Sequence, residues 1–203
     1  AALELLAQRG DLGVSLQEVA REAGMTTGAV QHHFASAAGL RSEVLSRLAQ
    51  SLGEAQGFWP DATWPLARRA EHFVRGAWRQ VFGAQRFATA WAAFLGARAH
   101  KSTRAHVLQR LAPIMVGMAE QLLRSFPELA ARADGRARAE FVLAALRGMG
   151  LAAPFCPAGF FDRHLELLGD YLVTSCQPPA PAPRAPARGG GARSRARPTK
   201  RTR

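Results

Sequence analysis

The chain is 203 residues long and 48% hydrophobic, with two cysteines and a formal charge of +12. That length allows one or two domains with a proper core. Cys156 and Cys176 lack metal-ligand spacing, which argues against a disulfide framework or a bound metal, and no run approaches the ~18 apolar residues of a membrane span.

With no signal peptide visible either, no membrane partner and a reducing, cytoplasmic setting are expected. Ala1 to Arg9 has helical spacing, with Leu3, Leu6 and Ala7 on one face. Ala1 already lies inside that pattern, which leaves a place for an N-terminal arm ahead of it. After a connector at Asp11 to Val14 comes the most informative stretch, Ser15 to Phe34. Leu16, Val19, Ala20 and Ala23 recur at three- and four-residue steps. Ser15 with Glu18 three residues on is a capping box, in which each satisfies a backbone donor of the other. Gly24 supplies the positive φ that ends this helix, and Thr26 caps a second one over Thr27 to Phe34.

Ala20, Gly24 and Val30 have the spacing of a helix-turn-helix: a small residue where two axes approach, a glycine at the turn, and an apolar inner residue. Thr27, Gln31 and His32 then face outward, and Gly28 and Ala29 are small enough for close approach. Hydroxyl, amide and imidazole groups on an exposed helix suit the base edges and phosphates of a major groove. The same spacing also serves an ordinary corner in a helical core. Ser36 opens a longer helix to about Gln56, in which Leu40, Val44, Leu45 and Leu48 begin on the small core and run out of it as a strut.

Residues 57–65 form a loop with two tryptophans and two prolines. Leu66 to Phe82 is helical and Gly83 interrupts it; Ala84 to His100 follows with Phe87, Trp91, Phe94 and Leu95 on one face. Ser102 or Thr103 caps a long helix to Phe126, which Pro113 is expected to kink. Asp134 is placed to cap Gly135 to Ala153, which bears Phe141, Val142, Ala145, Leu146 and Met149. Phe160 to Ser175 closes the folded part with Phe161, Leu165, Leu168 and Leu172. No strand alternation survives, so the expected class is all-α with about nine helices. The divisions are 1–56 for the turn module and its strut, 57–176 for a second helical domain, and 177–203 for a tail. That tail holds eight Arg or Lys and no acid, which leaves 19 basic against 15 acidic side chains for the rest. Its Pro, Ala, Gly and Arg composition predicts disorder. It serves either as a non-specific phosphate holder or as a solvated appendage, and its charge does not make the body a nucleic-acid binder.

The ALELLAQRG opening, the GMTTGAVQHHF segment and the following ASAAGL resemble the DNA-binding domain of the TetR family of transcriptional regulators, over about the first 56 residues. The resemblance implies a three-helix helix-turn-helix domain followed by a helical ligand-binding and dimerisation domain. DNA contacts would fall on Leu16 and Gln17, and on Thr27, Gly28, Ala29, Gln31, His32 and His33, with the capping residues Ser15 and Thr26 at the two helix starts. Two positions depart from the family: Gln31 stands where a tyrosine is frequent, and Ala37 where a phosphate-gripping lysine is frequent. Losing that lysine weakens non-specific attraction to DNA.

Trp78, Phe82, Trp91, Phe94, Met115 and Met118 are either plain core or the walls of an apolar cavity, with Arg98, His100, Arg104 and Glu120 as polar candidates. The resemblance favours the cavity and an effector that is a small, largely apolar molecule. Phe141, Leu146, Phe161, Leu165 and Leu172 offer more apolar surface than one small layer needs. By resemblance, the last two helices pair with those of a second copy in a four-helix bundle. The function implied is a ligand-responsive regulator: a homodimeric repressor on a palindromic operator in double-stranded DNA, released by a small molecule. The rival is a helical ligand-binding or protein-interaction module with little specific DNA binding. No catalytic residues and no cofactor are assigned, because there is no Gly-rich phosphate loop, HExxH or CxxC, and His32 and His33 point about 100° apart on a helix.

Overall fold

The computed structural model describes residues 2, 5, 15–34, 36–53, 57–97 and 101–178, and it is helical throughout, with no strand among them. The helices are α1 (Leu16–Glu22), α2 (Thr27–His33), α3 (Ala37–Gly53), α4 (Leu66–Ala77), α5 (Gln85–Ala97), α6 (Lys101–Ser125), α7 (Pro127–Ala130), α8 (Gly135–Ala152) and α9 (Asp162–Cys176). Leu3, Leu6 and Ala7 lie outside the described residues; in the same segment Leu5 is buried in the core and Ala2 packs against it.

Local chemistry sets the first two helices. The Glu18 amide donates to Ser15 Oγ at 3.2 Å, and the Ser15 amide donates to the Glu18 carboxylate at 2.9 Å, which completes the capping box. Gly24 has φ of +64°, a conformation that costs a Cβ-bearing residue about 1–2 kcal/mol. Thr26 Oγ1 accepts from the Ala29 amide at 3.2 Å, and Ser36 Oγ from the Gly39 amide at 3.1 Å ahead of α3.

The strut α3 lies against α6 and, less extensively, α5. Leu40 and Val44 are buried with Val19 in a core that continues into the second domain. The side chains of Leu45 and Leu48 lie outside the described residues. Beyond the strut, Phe58 fits over Gly76 of α4, where a Cβ would come within 2.6 Å of the Phe58 Cβ. Trp59 stacks on Phe73, with centroids 5.4 Å apart. The loop from residue 57 to 65 is therefore a plug held by its aromatics.

α4 does not end at Gly83 as a simple stop. It passes into a π turn over Trp78–Phe82, closed by the Gly83 amide donating to the Trp78 carbonyl at 2.8 Å. A Cβ on Gly83 would stand 2.7 Å from the Trp78 indole, so only glycine leaves that ring in place. α6 begins at Lys101, ahead of both expected caps, and runs through Pro113 as one element. Phe126 and Pro127 end it as expected. Asp134 precedes α8 but does not cap it with its side chain. Its carboxylate is drawn instead to Arg138 at 2.7 Å and Arg132 at 3.0 Å, which hold its pKa below the ordinary value.

The second domain is built on α4 packed along α9, with α8 meeting α5, α6, α7 and the π turn. Arg69 of α4 is buried and ties this layer to the end of α6. It donates to the Ser125 carbonyl at 3.0 Å, pairs with Glu128, and lies 5.3 Å from the Phe126 ring. That pairing holds the Glu128 carboxyl below its usual range. Close by, burial pushes the Cys176 thiol up to about 11. Cys156 and Cys176 are both free thiols. Among the described residues no helix is long and apolar enough to cross a membrane.

Candidate nucleic-acid interface

α2 is the exposed element of the turn module. Val30 turns inward and is buried, while Gln31, His32 and His33 are exposed and Thr27 and Ala29 half-buried. The division follows from the 100° step per residue: Val30 faces α1, and its C-terminal neighbours swing to the opposite side. The His32 and His33 rings are perpendicular, with centroids 5.8 Å apart. His33 faces outward over a hollow that it lines with Phe34, Gly39, Glu43 and Arg47. Arg47 is held by Glu43 at 2.9 Å.

Gly28 is informative for what it does not touch. Apart from its chain neighbours and its own helix backbone, a Cβ there would meet no atom of the described residues within 4 Å. Its small size therefore answers no need of the protein's own packing.

At the start of α1, two expected contact residues are partly committed elsewhere. Leu16 packs against the core, because it belongs to the same apolar stripe as Val19 and Ala20. The Ser15 hydroxyl accepts from the Glu18 amide and donates to the Glu18 carboxylate at 2.8 Å, so it is occupied by capping. Gln17 is the exposed side chain at this helix start. The Thr26 hydroxyl is likewise engaged as a cap.

The aromatic set of the second domain is in extensive mutual contact. Phe82 and Phe94 are buried, and Phe82, Phe87, Trp91 and Phe94 form a chain of ring contacts at 5.1, 6.2 and 5.9 Å. Trp78 packs on Phe161 at 5.4 Å, and Met118 rests against the core. These rings pack on one another in that chain of contacts. Met115 lines a groove between α6 and α8. Arg98 and His100 and the side chain of Arg104 lie outside the described residues; Glu120 is exposed.

The residues expected at a dimer face divide sharply. Leu146 and Leu172 are fully buried and Leu165 nearly so, all within the protomer, so they have no surface left to offer a second copy. α8 turns Leu146 inward because Val142, Leu143 and Gly150 share that side, with Gly150 lying directly against the Phe82 carbonyl and the Phe87 ring. Phe161 is half-buried, and Phe141 remains 54% exposed beside Tyr171. Sequence reasoning missed the companions of Phe141. Ala137, Ala144, Gly148 and Phe155 of α8 and its end are exposed, as are Phe160, His164 and Leu167 at the start of α9. The signal was present as uncharged residues at four- and three-residue steps, masked by a stronger apolar stripe on the opposite side of each helix.

An exposed helix on a glycine turn, joined by a strut to a larger helical body, defines the class: a helix-turn-helix regulator with a C-terminal helical domain. Residues 1–44 match the family described as bacterial regulatory proteins, tetR family. A transcriptional regulator from Rhodococcus sp. Rha1 is similar in fold, with a TM-score of 0.55 at 24% identity over 86% of this chain and 89% of that one. PfmR, a TetR family transcriptional regulator from Thermus thermophilus, gives 0.57 at 18% identity over 85% and 94%. At these identities the likeness speaks for the fold. No curated protein shows a significant sequence match. Residues 1–44 thus carry the tetR-family module, and the chain as a whole shares the fold of these regulators.

Proposed function

We propose that this protein is a homodimeric, ligand-responsive repressor that inserts α2 into the major groove of a palindromic operator. The observation that carries the reading is the exposed triplet Gln31, His32 and His33 on a helix whose Gly28 is free of its own protein. Gln31 is suited to adenine and His32 to a base edge or phosphate, while Thr27, Gly28 and Ala29 let the helix start approach the duplex. Gln17 and the amide groups at the start of α1 would take phosphate, in place of the hydroxyls spent on capping.

The face offered for pairing is the outer stripe of α8 and α9: Phe141, Ala144, Gly148, Phe155, Leu167 and Tyr171. Phe155 is 89% exposed and Leu167 51%, an arrangement that in water favours burial against a second copy. A two-fold pair would carry its recognition helices about 34–36 Å apart, one turn of duplex. Control would pass through α3, which lies against both α5 and α6. A ligand that favours one tilt of that strut changes the helix separation, and its differential affinity for the two separations is the whole source of regulation.

Enrichment of random duplex DNA on the full chain tests the core of this reading. It should return an inverted repeat, and Gln31→Ala with His32→Ala should abolish the enriched motif while the melting temperature holds. The rival, a helical module without specific DNA binding, draws on Ala37 at the position where the family frequently has lysine. Enrichment of no motif, with a folded dimer in hand, would decide for it.

A further inference from the structure

Arg147 of α8 is half-buried, and among the described residues its guanidinium makes neither a hydrogen bond nor an ion pair. Its one close partner is the Trp91 ring of α5, 5.3 Å from the guanidinium carbon. Partial burial holds its pKa below the ordinary arginine value.

Around it is a groove of about 310 Å³ between α6 and α8, lined by Met115, Val116, Glu140, Leu143, Ala144 and Arg147. Among the described residues Glu140 is the one acid on its walls, and it is already paired with Arg136 at 3.1 Å. Glu120, near the end of α6, is exposed and makes no ion pair with Arg147 among the described residues. The sequence holds no Asp or Glu at all from residue 72 to 119, a stretch that contains Arg75, Arg79, Arg86, Arg98, Lys101, Arg104 and Arg110. The whole of α5 and α6 as far as Ala119 is therefore unable to supply Arg147 with a carboxylate.

We infer that the α6–α8 groove binds a small molecule with an apolar body and a single carboxylate, the carboxylate seated on Arg147. The planar guanidinium fork matches a carboxylate in bidentate fashion, and the Trp91 ring supports it from one face. Met115, Val116, Leu143 and Ala144 receive the apolar part. Among the described residues Arg147 is the one cation lining the groove, so a doubly charged phosphate would be left half-compensated. The volume is at the small end of the ~300–1,000 Å³ found for ligand pockets. Ala144 also belongs to the outer stripe of α8, so the groove opens at the rim of the pairing face. The inference rests on the regulator reading for its consequence, altered DNA binding, and not for the binding itself.

The test is calorimetric titration of the full chain with 4-phenylbutyrate and octanoate, each against its neutral amide. At least one acid should bind at least tenfold more tightly than its amide. Arg147→Gln should lower acid affinity at least tenfold and erase the preference, while Arg147→Lys keeps part of it. Equal binding of acid and amide, or no saturable binding of either acid, overturns the inference, and the wild-type comparison stands even where a variant folds poorly. Acid binding that appears only on diluting a dimer apart would also overturn it, by assigning the groove to the second copy. DNA affinity measured with and without the acid separates the two readings. Acid binding through Arg147 with unchanged DNA affinity keeps the site and removes ligand control. Intact DNA binding with no acid binding removes the site and leaves the DNA-binding reading standing.

Discussion

The pair α1–α2 and the pair α8–α9 are both amphipathic helices joined by a short connection, yet they are specified differently. Every boundary in the first pair is set by residues within four positions of one another: Ser15 with Glu18, Gly24 alone, Thr26 with Ala29. In the second pair the deciding contacts come from far along the chain. Gly150 is held against Phe82 and Phe87. Short-range chemistry fixes where a helix starts and stops, whereas long-range packing fixes which side of it faces inward.

The largest effect should come from truncating two residues on opposite sides of α8. Leu146→Ala should cost about 2–5 kcal/mol by leaving a cavity in a fully buried site. Phe141→Ala should leave the protomer within about 0.5 kcal/mol and weaken dimerisation instead. Urea unfolding at several protein concentrations, with sedimentation alongside, reads both. Equal losses of protomer stability would remove the distinction between an inner and an outer stripe.

A smaller effect of the same kind is expected from two glycines. Gly150→Ala drives a methyl into the Phe82 carbonyl and should cost about 1–3 kcal/mol. Gly28→Ala meets nothing and should stabilise α2 by up to about 1 kcal/mol, yet it should weaken DNA binding by holding the helix off the duplex. A Gly28→Ala protein that is more stable and binds DNA unchanged would leave that glycine without a role at the interface.

Loss of the capping box by Ser15→Ala should cost about 1 kcal/mol in thermal unfolding, with the change confined to the N-terminal module. The smallest effect concerns pH. Arg69 holds the folded Glu128 carboxyl below its usual value of 4.5, so the folded state binds that proton less tightly than the unfolded chain. The stability this contributes is present above that usual value and is lost as pH falls through the lowered one. The gap in melting temperature between wild type and Glu128→Gln should therefore close on acidification; a gap constant down to acid unfolding would show that the pairing contributes nothing.

Much of the recognition module was legible from residues alone. The capping box, the αL glycine and the inward Val30 each follow from the preference of one residue type at one position. Legibility failed where a side chain had two uses. Ser15 and Thr26 are engaged as the caps their positions predict, so a DNA contact would have to share those hydroxyls, and Leu16 packs inward with the stripe it belongs to. It failed again where a helix carries apolar residues on two sides. Phe141 and Leu146 are five positions apart, well separated around an α-helix, and composition does not tell which of the two meets the core.

The chain itself determined the class, all-α, the turn at Gly24, and the outward Gln31 and His32, because these depend on φ, capping and periodicity within a few residues. Tertiary structure alone decided that Leu146, Leu165 and Leu172 belong to the protomer, that the aromatic rings close on one another, and that Arg147 stands over a groove without an anion. Those outcomes depend on which helices meet, and the contacts that decide them join residues dozens of positions apart.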